Sequence, residues 1–167
     1  MRVRRDAVVV SIAVFAGLGL TACTSEPSLN EIAPRFEQDA NEVFEELADD
    51  YSADPEAAEI TNDGSENVPC DDGARREFVG TFPMIEGDPD NTLDGFTNNV
   101  ITAISIDHDY EMVSEGGGNY TEDGLMSGTE RTDYGTNEDE TITFEVHAVA
   151  EPPRQVTFTG ETACADT

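Results

Sequence analysis

The sequence predicts an α+β domain in which an N-terminal amphipathic helix and a second helix pack on one face of an antiparallel sheet of about four to five strands. Two changes of period predict it. Leu29, Ile32, Phe36, Ala40, Val43, Leu47 and Tyr51 recur at spacings of three and four, which puts one apolar stripe on a helix. Further on the period becomes two. Ile142, Phe144, Val146 and Ala148 alternate with Thr141, Thr143, Glu145 and His147, and Val156 and Phe158 resume the alternation.

The first helix has an opening signal. Ser28 followed by Glu31 has the form of a capping box, in which each side chain satisfies a backbone N–H at the helix start. Pro34 conflicts with it, because a proline inside a helix removes one hydrogen bond. The helix is therefore expected to begin near Pro34 or to kink there. Residues 52–74 read as a loop, being rich in Asp, Glu, Asn, Gly and Pro without apolar periodicity. Glu77 to Ile85 reads as a strand stopped by Gly87-Asp88-Pro89, with Pro83 favouring an edge position or a bent end.

Residues 91–106 support two readings. Leu93, Phe96, Val100, Ile101 and Ile104 follow helical spacing, whereas the β-branched run from Val100 to Ile106 suits a strand. The helix is the reading adopted. A short strand is expected at Tyr110 to Val113, closed by Gly116-Gly117-Gly118, and another at Leu125 to Arg131. Tyr134 to Asp139 and Glu151-Pro152-Pro153 are expected to be the turns of a closing meander.

The beginning of the chain carries a different signal. Arg2, Arg4 and Arg5 precede an uncharged, largely apolar run from Ala7 to Leu20. That run is shorter than the roughly 20 residues of a membrane span and suits the core of a signal peptide. The residues around Arg4-Arg5 do not match a twin-arginine signal, so the general secretory route is expected. Leu20-Thr21-Ala22-Cys23 resembles a lipobox, the pattern of bacterial lipoproteins in which the cysteine is diacylated and the chain is cut before it. The resemblance implies removal of residues 1–22, lipidation of Cys23, a short tether over 23–28, and a single acidic domain over 29–167. It also implies attachment to the outer face of the cell membrane through that lipid, for which two acyl chains suffice.

With Cys23 assigned to lipid, Cys70 and Cys164 remain, an even number in an oxidising compartment, and they are expected to pair. Two distant cysteines without a neighbouring histidine make a poor metal site. Lipobox, amphipathic helix, first cysteine, strand, helix and a meander closing on a second cysteine together resemble small lipoproteins of high-GC Gram-positive, actinobacterial type. Most such families have no assigned activity, so the likeness implies location and architecture.

Charge excludes whole classes of partner. The chain has 37 acidic residues against eight basic ones, a formal net charge of −29. All eight are arginine, and five (Arg35, Arg75, Arg76, Arg131, Arg154) lie beyond residue 22. Such a field repels nucleic acid and anionic headgroups and favours cations and basic proteins.

Familiar catalytic patterns are missing. There is no Gly-x-Ser-x-Gly elbow, and Gly116-Gly117-Gly118 lacks the lysine of a phosphate loop. Asp88, Asp90 and Asp94 suggest a calcium loop, but Leu93 stands where its glycine belongs and Asn99 where its chelating glutamate belongs. His147 falls on a polar strand face, and His108, in Asp107-His108-Asp109, reads as an ordinary exposed histidine. Acid pairs suited to a glycosidase are inevitable among so many carboxylates and carry no weight. No catalytic residue, metal or cofactor is expected. The leading expectation is a non-catalytic binding module of the cell envelope for an unknown envelope protein or small ligand. A carboxylate-dependent envelope hydrolase and a cation-binding or salt-adapted surface protein are the alternatives.

Overall fold

The structure, a computed structural model, describes residues 27–71, 73–113, 119–120, 126–139 and 141–167. The leader, Cys23, the first part of the tether and Gly116–Gly118 lie outside the described residues. Helix α1 spans Leu29–Tyr51 and starts five residues before Pro34, so the capping box, not the proline, sets its beginning. The Ser28 N–H donates to Glu31 Oε2 at 2.8 Å. That backbone hydrogen bond, with a second from the Ser28 hydroxyl, holds the Glu31 carboxyl below the usual range. Helix α2, Pro89–Ile101, continues through a wider π-turn at Thr102–Ile106, where the Asp107 N–H reaches back to the Thr102 carbonyl at 3.1 Å. The helical reading of 91–106 holds.

Ten strands follow in chain order: β1 Glu59–Asp63, β2 Val68–Cys70, β3 Gly73–Arg75, β4 Glu77–Pro83, β5 Glu111–Val113, β6 Asn119–Tyr120, β7 Met126–Ser127, β8 Glu130–Thr136, β9 Ile142–Val149 and β10 Gln155–Thr162. Six of them form the main sheet in the order β1-β4-β10-β9-β8-β5, every pairing antiparallel. β2 with β3 and β6 with β7 make two small ribbons. The α+β class and the single disulfide are as expected; the sheet is larger.

Three expectations are corrected. Residues 52–74 hold three strands, and β1 escaped notice because it is an exposed edge with only Ile60 apolar among five residues. Pro83 is not in an edge strand, since β4 sits between β1 and β10; of the two positions expected for it, the proline takes the strand end, where a missing N–H costs least. The strand expected at Leu125 to Arg131 falls on two, β7 at Met126–Ser127 and the first residues of β8, which runs on to Thr136, so the turn expected at Tyr134 to Asp139 begins only after Thr136. There Asn137 Oδ1 accepts the N–H groups of Thr141 (2.8 Å) and Ile142 (2.9 Å), so one side chain closes the hairpin.

The core lies between α1, α2 and one sheet face. Phe36, Phe44, Phe78, Phe82, Phe144 and Phe158 are all almost fully buried there. Gly80 belongs to this packing, since a Cβ would stand 2.5 Å from the Phe44 ring. At one end of the domain the chain folds back on the start of α1. The Leu29 N–H donates to the Asp166 carbonyl at 2.8 Å, Ala74 pairs with Ala165, and Cys70 bonds Cys164 with Cα atoms 6.1 Å apart. The expected disulfide therefore ties the helix start, the β2–β3 ribbon and the last residues together.

Candidate functional site

Alternation sends one set of side chains from each strand to the helices and the other set outward. Among the described residues, no element packs across the outward set. Its residues line up in rows across β4, β10, β9 and β8. One row is Glu77, Glu161, Thr143 and Thr136; the next is Val79, Thr159, Glu145 and Tyr134; the third is Thr81, Thr157, His147 and Thr132. An open groove of about 400 Å³ lies along the first two rows.

Glu77 and Glu161 face each other directly, a pairing that like charges disfavour. Arg75 relieves it. Its Nε donates to Glu77 Oε1 at 2.8 Å, and Nη1 lies 3.6 Å from Glu161 Oε2. Among the described residues Glu145 has no such relief; its cross-strand neighbours are Thr159 and Tyr134. His147 stands on this face as expected, with Nδ1 3.0 Å from Thr132 Oγ1.

A second cluster joins α1 to the segment before β5. The Asp39 carboxylate, on the buried stripe of α1, accepts from Tyr110 Oη at 2.7 Å and from Arg35 Nε at 3.2 Å. His108 Nδ1 lies 3.3 Å from the other Asp39 oxygen, and Nε2 is 3.9 Å from Glu42. His108 is thus not the exposed histidine expected, for its side chain is only 12% exposed. Burial, and then the hydrogen bond to Asp39, push the Tyr110 hydroxyl well above its ordinary range. It stays protonated and donating at every physiological pH. Both Asp39 oxygens are engaged, and Nε2 of His108 faces a carboxylate rather than a hydroxyl or thiol. This arrangement clamps a loop to a helix and offers no nucleophile to activate.

A nearby carboxylate gives a pH test. Partial burial, then the charges of Asp107 and Asp50, hold Glu46 above its ordinary value against an opposing contribution from His108. The folded chain then keeps this proton more readily than the unfolded one, so this group's contribution to stability falls as pH rises through its titration. Glu46→Gln is expected to raise the melting temperature by about 1–3 °C near pH 7. The gain should vanish near pH 3, where the carboxyl is protonated in both states. Thermal unfolding followed by circular dichroism at the two pH values checks it.

A third polar group is buried under α2. Arg131 Nη1 donates to Thr97 Oγ1 at 2.9 Å, and the Thr97 hydroxyl donates to Asp133 Oδ2 at 3.1 Å. Both charged residues sit on the inward face of β8. Of the candidate calcium residues, Asp88 precedes α2 and Asp94 lies within it, an acidic helix start. No group of three or more metal-binding side chains occurs among the described residues, and no described helix is long and apolar enough to cross a membrane. Sequence reading missed the Asp39 clamp and the row through Glu145. The clamp could have been suspected from an acid on the apolar stripe of α1, and the row from the alternation of β9. No protein-family model, curated protein or solved structure matches this chain.

Proposed function

We propose that the chain is an exported lipoprotein, cut before Cys23 and anchored there by acyl chains on the outer face of the cell membrane, and that it acts as a non-catalytic binding module through its open sheet face. The observation that carries the binding reading is that face itself. Four adjacent strands present ordered rows of Thr, Glu, Val and Tyr around a groove, while the opposite face holds the whole aromatic core. Such a rigid, half-polar surface suits recognition, because strand positions are fixed without any further ordering cost.

Two features support the envelope address. The disulfide between Cys70 and Cys164 belongs in an oxidising compartment. Helix α1 begins at Leu29, six residues after Cys23 and at the disulfide-bonded end of the domain, so a lipid on Cys23 would hold that end near the bilayer. The clamp at Asp39 serves architecture rather than turnover. Cys23→Ser tests the anchor. The variant is expected to leave the membrane fraction and to lose incorporation of an alkyne-tagged fatty acid, whereas the unaltered chain keeps both. A variant that sediments with membranes as before would overturn the anchoring reading.

A further inference from the structure

We propose that the row through Glu145, with Glu161 beside it, docks an extended cationic protein segment carrying lysine or arginine at alternate positions. This inference rests on reading the open face as the binding surface, and it names the chemistry of the partner.

The spacing is the first argument. Glu145 pairs across strands with Thr159, and Glu161 lies two residues further along the same strand. Such diagonal neighbours stand about 7–8 Å apart. Side chains two residues apart on an extended chain project to one side about 6.7 Å apart. Two cationic side chains at positions i and i+2 therefore reach both carboxylates without bending the segment.

The surroundings of Glu145 are the second argument. Tyr134 adjoins it on β8 and bounds the row on that side. On the other side Thr159 and Val79 continue the row, a neutral floor for the methylene stem of lysine or arginine. The charge balance is the third. Among the described residues, Glu77, Glu145 and Glu161 face outward around the groove against Arg75 alone, in a chain of net charge −29. Arg75 already serves Glu77 and Glu161, and among the described residues no cation pairs with Glu145.

The groove's form selects an extended segment over a small ion or an enclosed molecule. It is open, it crosses four strands over about 14 Å, and no three metal ligands converge among the described residues.

The test uses the full chain in nonionic detergent, with the disulfide intact. A fluorescent ten-residue peptide alternating lysine and threonine is titrated by anisotropy, and a second peptide carries serine in place of lysine. Amide hydrogen exchange maps where each one protects the chain. The lysine peptide is expected to protect β4, β9 and β10, and Glu145→Gln with Glu161→Gln to weaken its binding about tenfold. The control pair Glu66→Gln with Glu151→Gln removes the same charge from exposed loops and should weaken it less than about twofold. Equal weakening by both pairs would reduce the effect to bulk charge and overturn the proposal. Equal binding of both peptides on this face would also overturn it while leaving the open face as a binding surface. Protection confined to α1 or α2 would sink both readings, and no binding of the lysine peptide would sink the inference alone.

Discussion

Replacing Cys70 and Cys164 together by serine is expected to lower the unfolding free energy by about 4.7 kcal/mol. The sequence separation of 94 residues closes a loop near the length for which chain entropy gives that figure. The bond does more than shorten the unfolded ensemble. It holds the β2–β3 ribbon beside the last residues, where Ala165 pairs with Ala74 and the Asp166 carbonyl accepts the Leu29 N–H. The same substitution should therefore loosen the start of α1 ahead of the sheet. Denaturant unfolding gives the total, and amide exchange at Leu29, Ala74 and Ala165 locates the local share. A stability within about 1 kcal/mol of the parent would contradict this account of what closes the domain.

Phe144→Ala should cost about 3–5 kcal/mol, whereas Thr143→Ala, one residue away, should stay within about 0.5 kcal/mol. The contrast follows from facing. Phe144 is fully buried and packs on Phe158 at 5.3 Å, Tyr110 at 5.0 Å and Phe36 at 6.0 Å between ring centroids. Removing the ring leaves a cavity touching both α1 and the Tyr110 clamp, and the surrounding rings cannot all collapse into it. Thr143 points to the open face and touches none of them. Urea titration of the two variants measures the difference, and equal losses would mean that the sheet's two faces are wrongly assigned.

How far these features were legible depended on which face each strand turns inward. α1 and β9 bury apolar residues and expose polar ones, so spacing alone located them. The helical reading of 91–106 held because Leu93, Phe96 and Val100 form a buried stripe, and burial outweighed the β-preference of the Ile101–Ile106 stretch. β8 reverses the rule. It turns Arg131, Asp133 and Gly135 toward the helices, and Gly135 is there because a Cβ would stand 2.5 Å from Ile104. A strand whose inward face is charged or bare gives no apolar alternation, so Tyr134 and its neighbours read as a turn.

The candidate site was half legible for the same reason. The outward residues of β9 and β10 followed from alternation, but their alignment with Val79 and Tyr134 is a matter of register, set by long-range pairing. Arg75, which pairs with Glu77 and Glu161, lies between the residues 52–74 read as a loop and the strand expected from Glu77, where spacing gave no signal. Asp39 and Tyr110 are 71 residues apart, and only the packed fold brings them together.

The intact mass of the chain extracted from membranes decides whether Cys23 is the anchor. The expected species begins at Cys23, carries acyl chains on that residue, and keeps Cys70 and Cys164 joined until a reductant is added. A species that retains residues 1–22, or whose Cys23 thiol is open to alkylation, would contradict the anchoring reading.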